Sequence, residues 1–163
     1  MLPVTLVKDG VISDVLSLDS QNNAKSKMLV AGRRENYKYN VLPRMRCTYI
    51  EAFGNMNEKT IINKYKKCIF IYKTHSGGID PTNGNFELNG VGFVINNNEV
   101  QNFIGNLKIS GNILKHFNSI EYIGNDLKFF GGYCFKLGQT VRVAAGSPTI
   151  SINNLIIEGD FYV

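Results

Sequence analysis

The chain has 163 residues, of which 44% are hydrophobic and none is tryptophan, and its formal net charge is +5. This length and composition suffice to bury a hydrophobic core, so we expect a single domain over residues 1–163. No apolar run reaches the roughly 18 residues of a membrane span, and the first residues lack the features of a secretory signal. Three cysteines, an odd number, indicate free thiols in a reducing compartment, and we expect a cytoplasmic protein.

The first third of the chain predicts a hairpin followed by irregular and extended segments. Strand-like runs at 4–8 and 11–18 are joined by Asp9-Gly10, which is a strong short-range hairpin signal. Residues 19–31 are small and polar and indicate a loop or a short helix. Residues 37–50 are predicted to be extended, with a break at Pro43.

Two later segments are predicted as short helices. Residues 57–68 begin at Asn57, a suitable N-cap, and residues 110–119 begin at Ser110. Apolar side chains recur at helical spacing in both segments. The predicted inward positions are Ile61, Ile62, Tyr65 and Cys68 in the first helix and Ile113, Leu114 and Phe117 in the second.

The remaining apolar runs are predicted strands. Residues 86–95 and 99–104 form a second hairpin, because consecutive asparagines at 96–98 tolerate the positive φ of a tight turn. The other predicted strands are 69–73, 122–123, 127–130, 140–144 and 149–157. The sequence therefore predicts an α+β fold, a mainly antiparallel β-sheet of sandwich or barrel type with two short helices.

A lone cysteine, Cys134, follows Gly131-Gly132 and precedes Gly138, in what we predict to be a glycine-rich loop between strands. A thiolate is both a metal ligand and a nucleophile, so this position is a candidate for chemistry. One alternative is a buried cysteine that acts only as a small hydrophobic residue. Another is a catalytic thiol, which would need a nearby histidine such as His116.

Several segments in order resemble the TldD/PmbA (TldD/TldE) family of zinc-dependent peptidases. The similar stretches are residues 32–37 (GRRENY), 43–49 (PRMRCTY), 76–86 (SGGIDPTNGNF), 123–127 (IGNDL) and 146–159. Residues 134–139 (CFKLGQ) resemble the catalytic TldD branch, whose cysteine at this place completes a zinc site. The resemblance covers nearly the whole chain and implies the C-terminal domain of such a peptidase.

The resemblance implies that Cys134 is one zinc ligand and that two histidines of an upstream HExxxH motif are the others. The chain contains no HExxxH, and neither of its histidines, His75 and His116, is followed by Glu. The implied zinc site is therefore incomplete in this chain, and we expect it to be inactive alone. We expect each histidine to be a solvated or hydrogen-bonded surface residue.

The resemblance also implies function and partners. The family hydrolyses peptides, including precursors that it matures, and works as a pair of TldD-type and PmbA-type (TldE) subunits that bind substrate as an extended strand. We expect this chain to supply one zinc-ligand cysteine and part of the substrate cleft, and to need the remaining TldD-like region or a PmbA-type subunit. The alternative is a non-catalytic assembly module, a split or remnant subunit without activity of its own.

The basic residues allow a third interpretation. Residues 1–75 hold 13 Lys and Arg against 6 Asp and Glu, which could attract nucleic acid, but no recognised binding motif accompanies them. Arg33, Arg34 and Arg44 could bind the charged end of a peptide or form interdomain salt bridges, and we favour the salt bridges.

The remaining polar candidates are predicted to be structural. We expect Cys47 in a strand and Cys68 on a helix to have no metal role, since they form no CxxC pattern. We expect Asp80 and Asp126 to stabilise turns, because Asp80 precedes a proline and Asp126 follows Gly-Asn.

Overall fold

The computed structural model describes residues 4–16 and 31–162. These residues fall into two compact units. Unit 1 comprises the described residues within 1–51 and 127–147, and unit 2 comprises those within 52–126 and 148–163. Within the described part of the chain, no helix combines the length and the apolar character that crossing a membrane requires.

The elements, in chain order, are β1 (Val7–Lys8), β2 (Val11–Ile12), β3 (Gly32–Arg33), β4 (Leu42–Pro43), β5 (Cys47–Tyr49), α1 (Glu58–Ile62), β6 (Lys67–Ile79), β7 (Asn85–Asn96), β8 (Glu99–Asn112), α2 (Ile113–Phe117), β9 (Ile120–Ile123), β10 (Lys128–Lys136), β11 (Gln139–Ser147), β12 (Ile150–Ile152) and β13 (Ile156–Tyr162). The predicted α+β fold, mainly antiparallel with two short helices, is confirmed. The described strands do not close into a barrel.

Unit 2 is built on an open antiparallel sheet in the order β13-β8-β7-β6, with α2 following β8 directly. A smaller pair, β12 and β9, completes its sheet structure. Its core consists of apolar side chains from the central strands, namely Val94, Ile104, Leu107 and Ile109. Ile104 and Leu107 are fully buried. The hydrophobic effect therefore holds this unit together.

Unit 1 contains a three-stranded sheet in the order β10-β11-β5. It also contains the small hairpins β1–β2 and β3–β4, which precede β5 in the sequence. β10 and β11 are antiparallel, whereas β5 pairs with β11 in parallel. The residues at 137 and 138 connect β10 to β11, and both have positive φ, 49° and 74°. Such a two-residue turn matches the twist of the strands that it joins.

Both predicted hairpins of the sequence are present. Asp9 and Gly10 have φ values of 50° and 76° between β1 and β2, and Asn97 and Asn98 have φ values of 50° and 67° between β7 and β8. β2 ends at Ile12, earlier than predicted. The segment predicted as a loop or helix at 19–31 lies outside the described residues except for Ala31.

The two helices are shorter than predicted. Asn57 caps α1 as expected, accepting a hydrogen bond from the Thr60 N–H, but the helix stops at Ile62. Lys67 and Cys68 belong instead to β6, where they pair with Asn96 and Ile95. The pairing with β7 overrides helix propensity there, since propensity is the weaker influence.

The second helix begins later than predicted. Ser110 lies in β8, and Asn112 caps α2. Leu114 and Phe117, predicted to point inward, are 63% and 41% exposed. Five residues form little more than one turn, so α2 has no continuous apolar face to bury.

Candidate functional site

Cys134 lies in β10, directly opposite Val141 of β11, and not in the predicted loop. The two glycines before it pair with Ala144 and Val143 and are extended. The prediction of a loop was wrong, because glycine, although common in turns, here occupies ordinary strand positions. Leu137 and Gly138 alone form the turn.

The side chain of Cys134 lies on the covered face of this hairpin. Successive strand residues point to opposite faces, and paired residues share a face. Cys134 is half-buried and shares its face with Val141, which is buried. Tyr133 and Phe135, on the other face, are 70% and 75% exposed. The thiol is therefore partly accessible and sheltered on one side.

The guanidinium of Arg44 crosses the turn end of this hairpin. Its Nη1 donates to the carbonyl oxygen of Cys134 at 2.8 Å, and its Nη2 donates to the carbonyl oxygens of Lys136 and Gln139 at 2.7 and 3.0 Å. The Arg44 backbone N–H donates to the Ala31 carbonyl oxygen at 2.9 Å. Arg44 is 2% exposed. One side chain thus joins the segment before β5 to the strand that carries Cys134.

Gln139 reinforces the same attachment. Its side-chain amide donates to the Asn40 carbonyl oxygen at 3.0 Å and accepts from the Glu35 N–H at 3.3 Å. Glu35 in turn accepts from the Thr140 N–H at 2.7 Å. Gln139 itself is 3% exposed.

The prediction of interdomain salt bridges was wrong for Arg44, because its side chain is buried and donates to backbone carbonyls of its own unit. Arg33 behaves similarly, donating to the carbonyl oxygens of Met45 and Arg142 at 2.8 and 2.6 Å. Arg34 is exposed. The sequence did not predict that Arg44 and Gln139 would hydrogen-bond to backbone groups, although Arg44 lies in the motif PRMRCTY and Gln139 lies in the motif CFKLGQ.

The strand that carries Cys134 also has one edge that pairs with no strand among the described residues. β10 pairs with β11 on one side and is the outer strand of its sheet. A Cβ atom added at Gly131 or Gly132 would meet nothing within 4 Å, and neither residue has positive φ. The described fold therefore does not require glycine at these two positions, and the backbone beside Cys134 is open to close approach.

The donor set present around Cys134 fits one zinc ligand and not a whole site. No three His, Cys, Asp or Glu side chains come together to hold a metal ion within residues 4–16 and 31–162. Unit 1 contains no histidine in its sequence at all. Cys134 is a free thiol, so its sulfur is available as a ligand.

The two histidines occupy different settings in unit 2. His75 is exposed at a β-bulge of β6. His116 packs edge-on against Phe86, its Nδ1 accepts from the Asn112 N–H at 3.0 Å, and its Nε2 lies 3.1 Å from the Asn154 carbonyl oxygen. Nδ1 also lies 2.8 Å from the Asn112 carbonyl oxygen, so both ring nitrogens contact backbone groups and the ring joins α2 to the segment before β13.

The two aspartates both act as hydrogen-bond acceptors. Asp80 accepts from the N–H and hydroxyl of Thr82 at 2.8 and 2.6 Å, which lowers the pKa of its carboxyl group and confirms the turn role. Asp126 accepts from the N–H and hydroxyl of Thr149 at 2.9 and 2.6 Å, so it joins two segments that are far apart in the sequence.

The other cysteines differ in exposure. Cys47 is exposed in β5. Cys68 is half-buried in β6, not on a helix, and burial raises the pKa of its thiol. Their lack of a metal role stays a prediction.

Comparison with known proteins places these features in a family. The profile of the PmbA/TldA metallopeptidase C-terminal domain matches residues 2–159. The chain is 29% identical over 159 residues to a zinc metalloprotease TldD homolog of Saccharolobus solfataricus, covering 96% of this chain and 35% of the relative. It is 32% identical over 131 residues to a metalloprotease TldD homolog of Buchnera aphidicola from Acyrthosiphon pisum, covering 78% and 27%.

Solved structures share the fold. TldE from Thermococcus kodakarensis matches with a TM-score of 0.62 at 18% identity, covering 81% of this chain and 28% of TldE. A putative modulator of DNA gyrase from Thermotoga maritima matches with a TM-score of 0.54 at 20% identity, covering 68% and 23%. The chain spans about a third of the length of the curated relatives that it matches. It belongs to the family of PmbA/TldA metallopeptidase C-terminal domains.

Proposed function

We propose that residues 1–163 act together as the C-terminal domain of a TldD-like zinc metallopeptidase, in which Cys134 is one zinc ligand. The observation that carries this proposal is a free, half-buried thiol on an outer strand, fixed through its backbone by a buried arginine. The family match and the relatives named as zinc metalloproteases support the same chemistry. When bound, zinc makes a coordinated water acidic and polarises a peptide carbonyl.

No three potential metal ligands come together among the described residues, and we propose that the other zinc ligands and the general base come from another segment. A catalytic zinc usually has three protein ligands and one open position. We therefore propose that an HExxxH-bearing segment of a TldD-like polypeptide provides the two histidines. A PmbA-type (TldE) subunit is the proposed partner of the assembled enzyme.

The outer edge of β10 is the proposed part of the substrate cleft. An outer strand presents N–H and C=O groups that have no partner strand, and an extended peptide can pair with them. Gly131 and Gly132 lie three and two residues before Cys134 and leave open space on the faces of the strand beside that edge. This arrangement would bind the peptide through its backbone, beside the thiol, with little dependence on peptide sequence.

A fusion protein tests the proposal. In this fusion, the chain replaces the matching third of the Saccharolobus solfataricus relative, and zinc-dependent hydrolysis of an unstructured peptide is measured. We expect Cys134→Ala to lower hydrolysis by at least about 100-fold, the upper end of the effect of removing a supporting residue beyond the ligands. The matched control is Cys47→Ala, an exposed cysteine of the same unit, which should leave hydrolysis unchanged.

The alternative function, a non-catalytic assembly module, makes a different prediction for the same experiment. Hydrolysis by the fusion would then be absent or equal in the wild type and the Cys134→Ala variant. The open edge and the exposed aromatic residues of β10 would be expected to serve assembly alone. Equal hydrolysis in an active fusion would reject Cys134 as a ligand.

A further inference from the structure

We infer that Arg44 is a positioning residue that determines where Cys134 lies for metal binding, an inference that rests on the proposed function. Arg44 does not present its guanidinium to the thiol. It acts through the backbone, because its Nη1 donates to the carbonyl oxygen of Cys134 itself at 2.8 Å. The other terminal nitrogen reaches both sides of the turn, at Lys136 and Gln139.

The burial of Arg44 is energetically unfavourable in a way that an apolar side chain would avoid. It is 2% exposed, its Nε has no hydrogen-bond partner, and no carboxylate pairs with it among the described residues. Removing a charge from water has a large desolvation cost. Arg44 is thus a poor choice for stability alone, and its value lies in directional bonding.

The directional bonding of arginine suits this position. A guanidinium is planar and rigid, and its hydrogen bonds to carbonyl oxygens are charge-assisted. Its three acceptors belong to both strands of the hairpin. The side chain therefore fixes the pairing register of β10 and β11 and their distance from the segment before β5. Lysine has a single rotatable ammonium group and cannot reproduce this planar fork.

Apart from its pairing with β11, the stretch around Cys134 has few side-chain contacts among the described residues. Gly131 and Gly132 have no side chains to pack, and glycine has the greatest backbone freedom. Tyr133 and Phe135 point away from the covered face and are largely exposed. Lys136 adds one exposed contact, from its Nζ to the Pro43 carbonyl oxygen at 3.2 Å. Besides the pairing of β10 with β11, Arg44 is therefore the principal side-chain restraint on the backbone of Cys134 among the described residues.

Accurate placement matters because a ligand must meet the metal within a fraction of an ångström. Functional constellations have to be held within about 0.5 Å by their supporting residues, and outer supports of a metal site typically change metal affinity by roughly 10–100-fold. The geometry assigns this supporting role to Arg44.

Peptide-resolved alkylation of the full chain without metal tests the restraint. Iodoacetamide is added, and the modification rate of each cysteine is read by mass spectrometry. In Arg44→Met, we expect the rate at Cys134 to rise by about fivefold or more, as local opening becomes easier, while Cys68 of unit 2 is unchanged. Arg44→Lys should show a smaller rise. Arg142→Met, which alters an exposed arginine on the opposite face of the hairpin, should show none.

Two results would overturn the restraint. One is a Cys134 rate in Arg44→Met equal to wild type. The other is an equal rise at Cys68 in both Arg44 variants, which would mean general unfolding. If Arg44→Met fails to fold, the Arg44→Lys variant tests the restraint instead. A modification rate at Cys134 equal to wild type in Arg44→Lys would show that the planar guanidinium is not needed.

The functional consequence is measured in the fusion. We expect Arg44→Lys to lower zinc affinity by roughly 10–100-fold while the thermal unfolding curve stays cooperative. Loss of zinc in Cys134→Ala with unchanged affinity in Arg44→Lys would reject the role of Arg44 and leave the proposed function standing. Unchanged zinc binding in both variants would instead reject Cys134 as a ligand, which is the failure of the proposed function.

Discussion

Each of the two units of this chain is stabilised internally by a different kind of interaction. Unit 2 buries a cluster of aliphatic side chains between long antiparallel strands, with Ile104 and Leu107 fully buried. Unit 1 buries Arg44 and Gln139, which hydrogen-bond to backbone groups. Apolar burial is strong and non-directional, whereas hydrogen bonds are modest in net energy and strongly directional. We conclude that apolar burial stabilises the fold of unit 2, whereas directional hydrogen bonds fix the positions of backbone groups in unit 1.

The glycines of the two units show the same contrast. A Cβ at Gly90 of unit 2 would lie 2.3 Å from the Lys73 carbonyl oxygen, so the close approach of β6 and β7 requires glycine there. A Cβ at Gly131 or Gly132 of unit 1 would meet nothing. The first glycine is needed for the fold, and the other two are available for a role beyond it.

The largest expected effect is in the apolar core of unit 2. Leu107→Ala should lower the free energy of unfolding by about 2–5 kcal/mol, because it removes buried methyl groups and leaves a cavity. Urea unfolding followed by circular dichroism measures this change. A loss below about 1 kcal/mol would contradict a central role for this cluster, and Leu114→Ala, at an exposed position, is the matched control.

The glycines of unit 1 should separate stability from function. Gly138 has a φ of 74°, so Gly138→Ala should destabilise by about 1 kcal/mol through backbone strain. Gly132→Ala should change the free energy of unfolding by less than about 0.5 kcal/mol, yet lower peptide hydrolysis by the fusion, since a methyl group on the face of the strand would obstruct a substrate that packs closely beside the proposed edge. Wild-type hydrolysis in Gly132→Ala would contradict a close approach of substrate there.

The smallest expected effect concerns an exposed ion pair of unit 2. Glu87 lies 3.0 Å from the Lys108 ammonium and raises the pKa of that group above its ordinary value of 10.5. A raised pKa on a base means stabilisation that is fully present below pH 10.5 and is lost as the pH rises through the folded value. The stability difference between wild type and Lys108→Gln should therefore shrink above pH 10.5. A difference that grows with alkaline pH would contradict this assignment.

The parts of the fold that depend on local chemistry were predictable from the sequence. Asp9-Gly10 and the asparagines at 97 and 98 indicated their hairpins, because these residue types tolerate positive φ. The cap of α1 at Asn57 was equally local. The end of α1 was not, because pairing of β6 with β7 decides it and joins residues far apart in the sequence.

The candidate site was predictable only in part. Cys134 was singled out by its glycines and by its resemblance to a family motif, but its strand conformation depends on β11. The burial of Arg44 depends on acceptors about 90 residues away, at Cys134 and Gln139. From the sequence alone, a basic side chain is predicted to be exposed to solvent or paired with a carboxylate. Hydrogen bonding to three backbone carbonyl groups of a hairpin cannot be predicted from composition or residue spacing.

The most direct test of the account is the zinc content of the fusion, measured by elemental analysis with X-ray absorption at the zinc edge, in wild type and in Cys134→Ala. The account predicts about one zinc per polypeptide with one sulfur ligand at about 2.3 Å, and loss of both in the variant. Zinc retained in full by Cys134→Ala, with only nitrogen and oxygen ligands in the wild type, would contradict it.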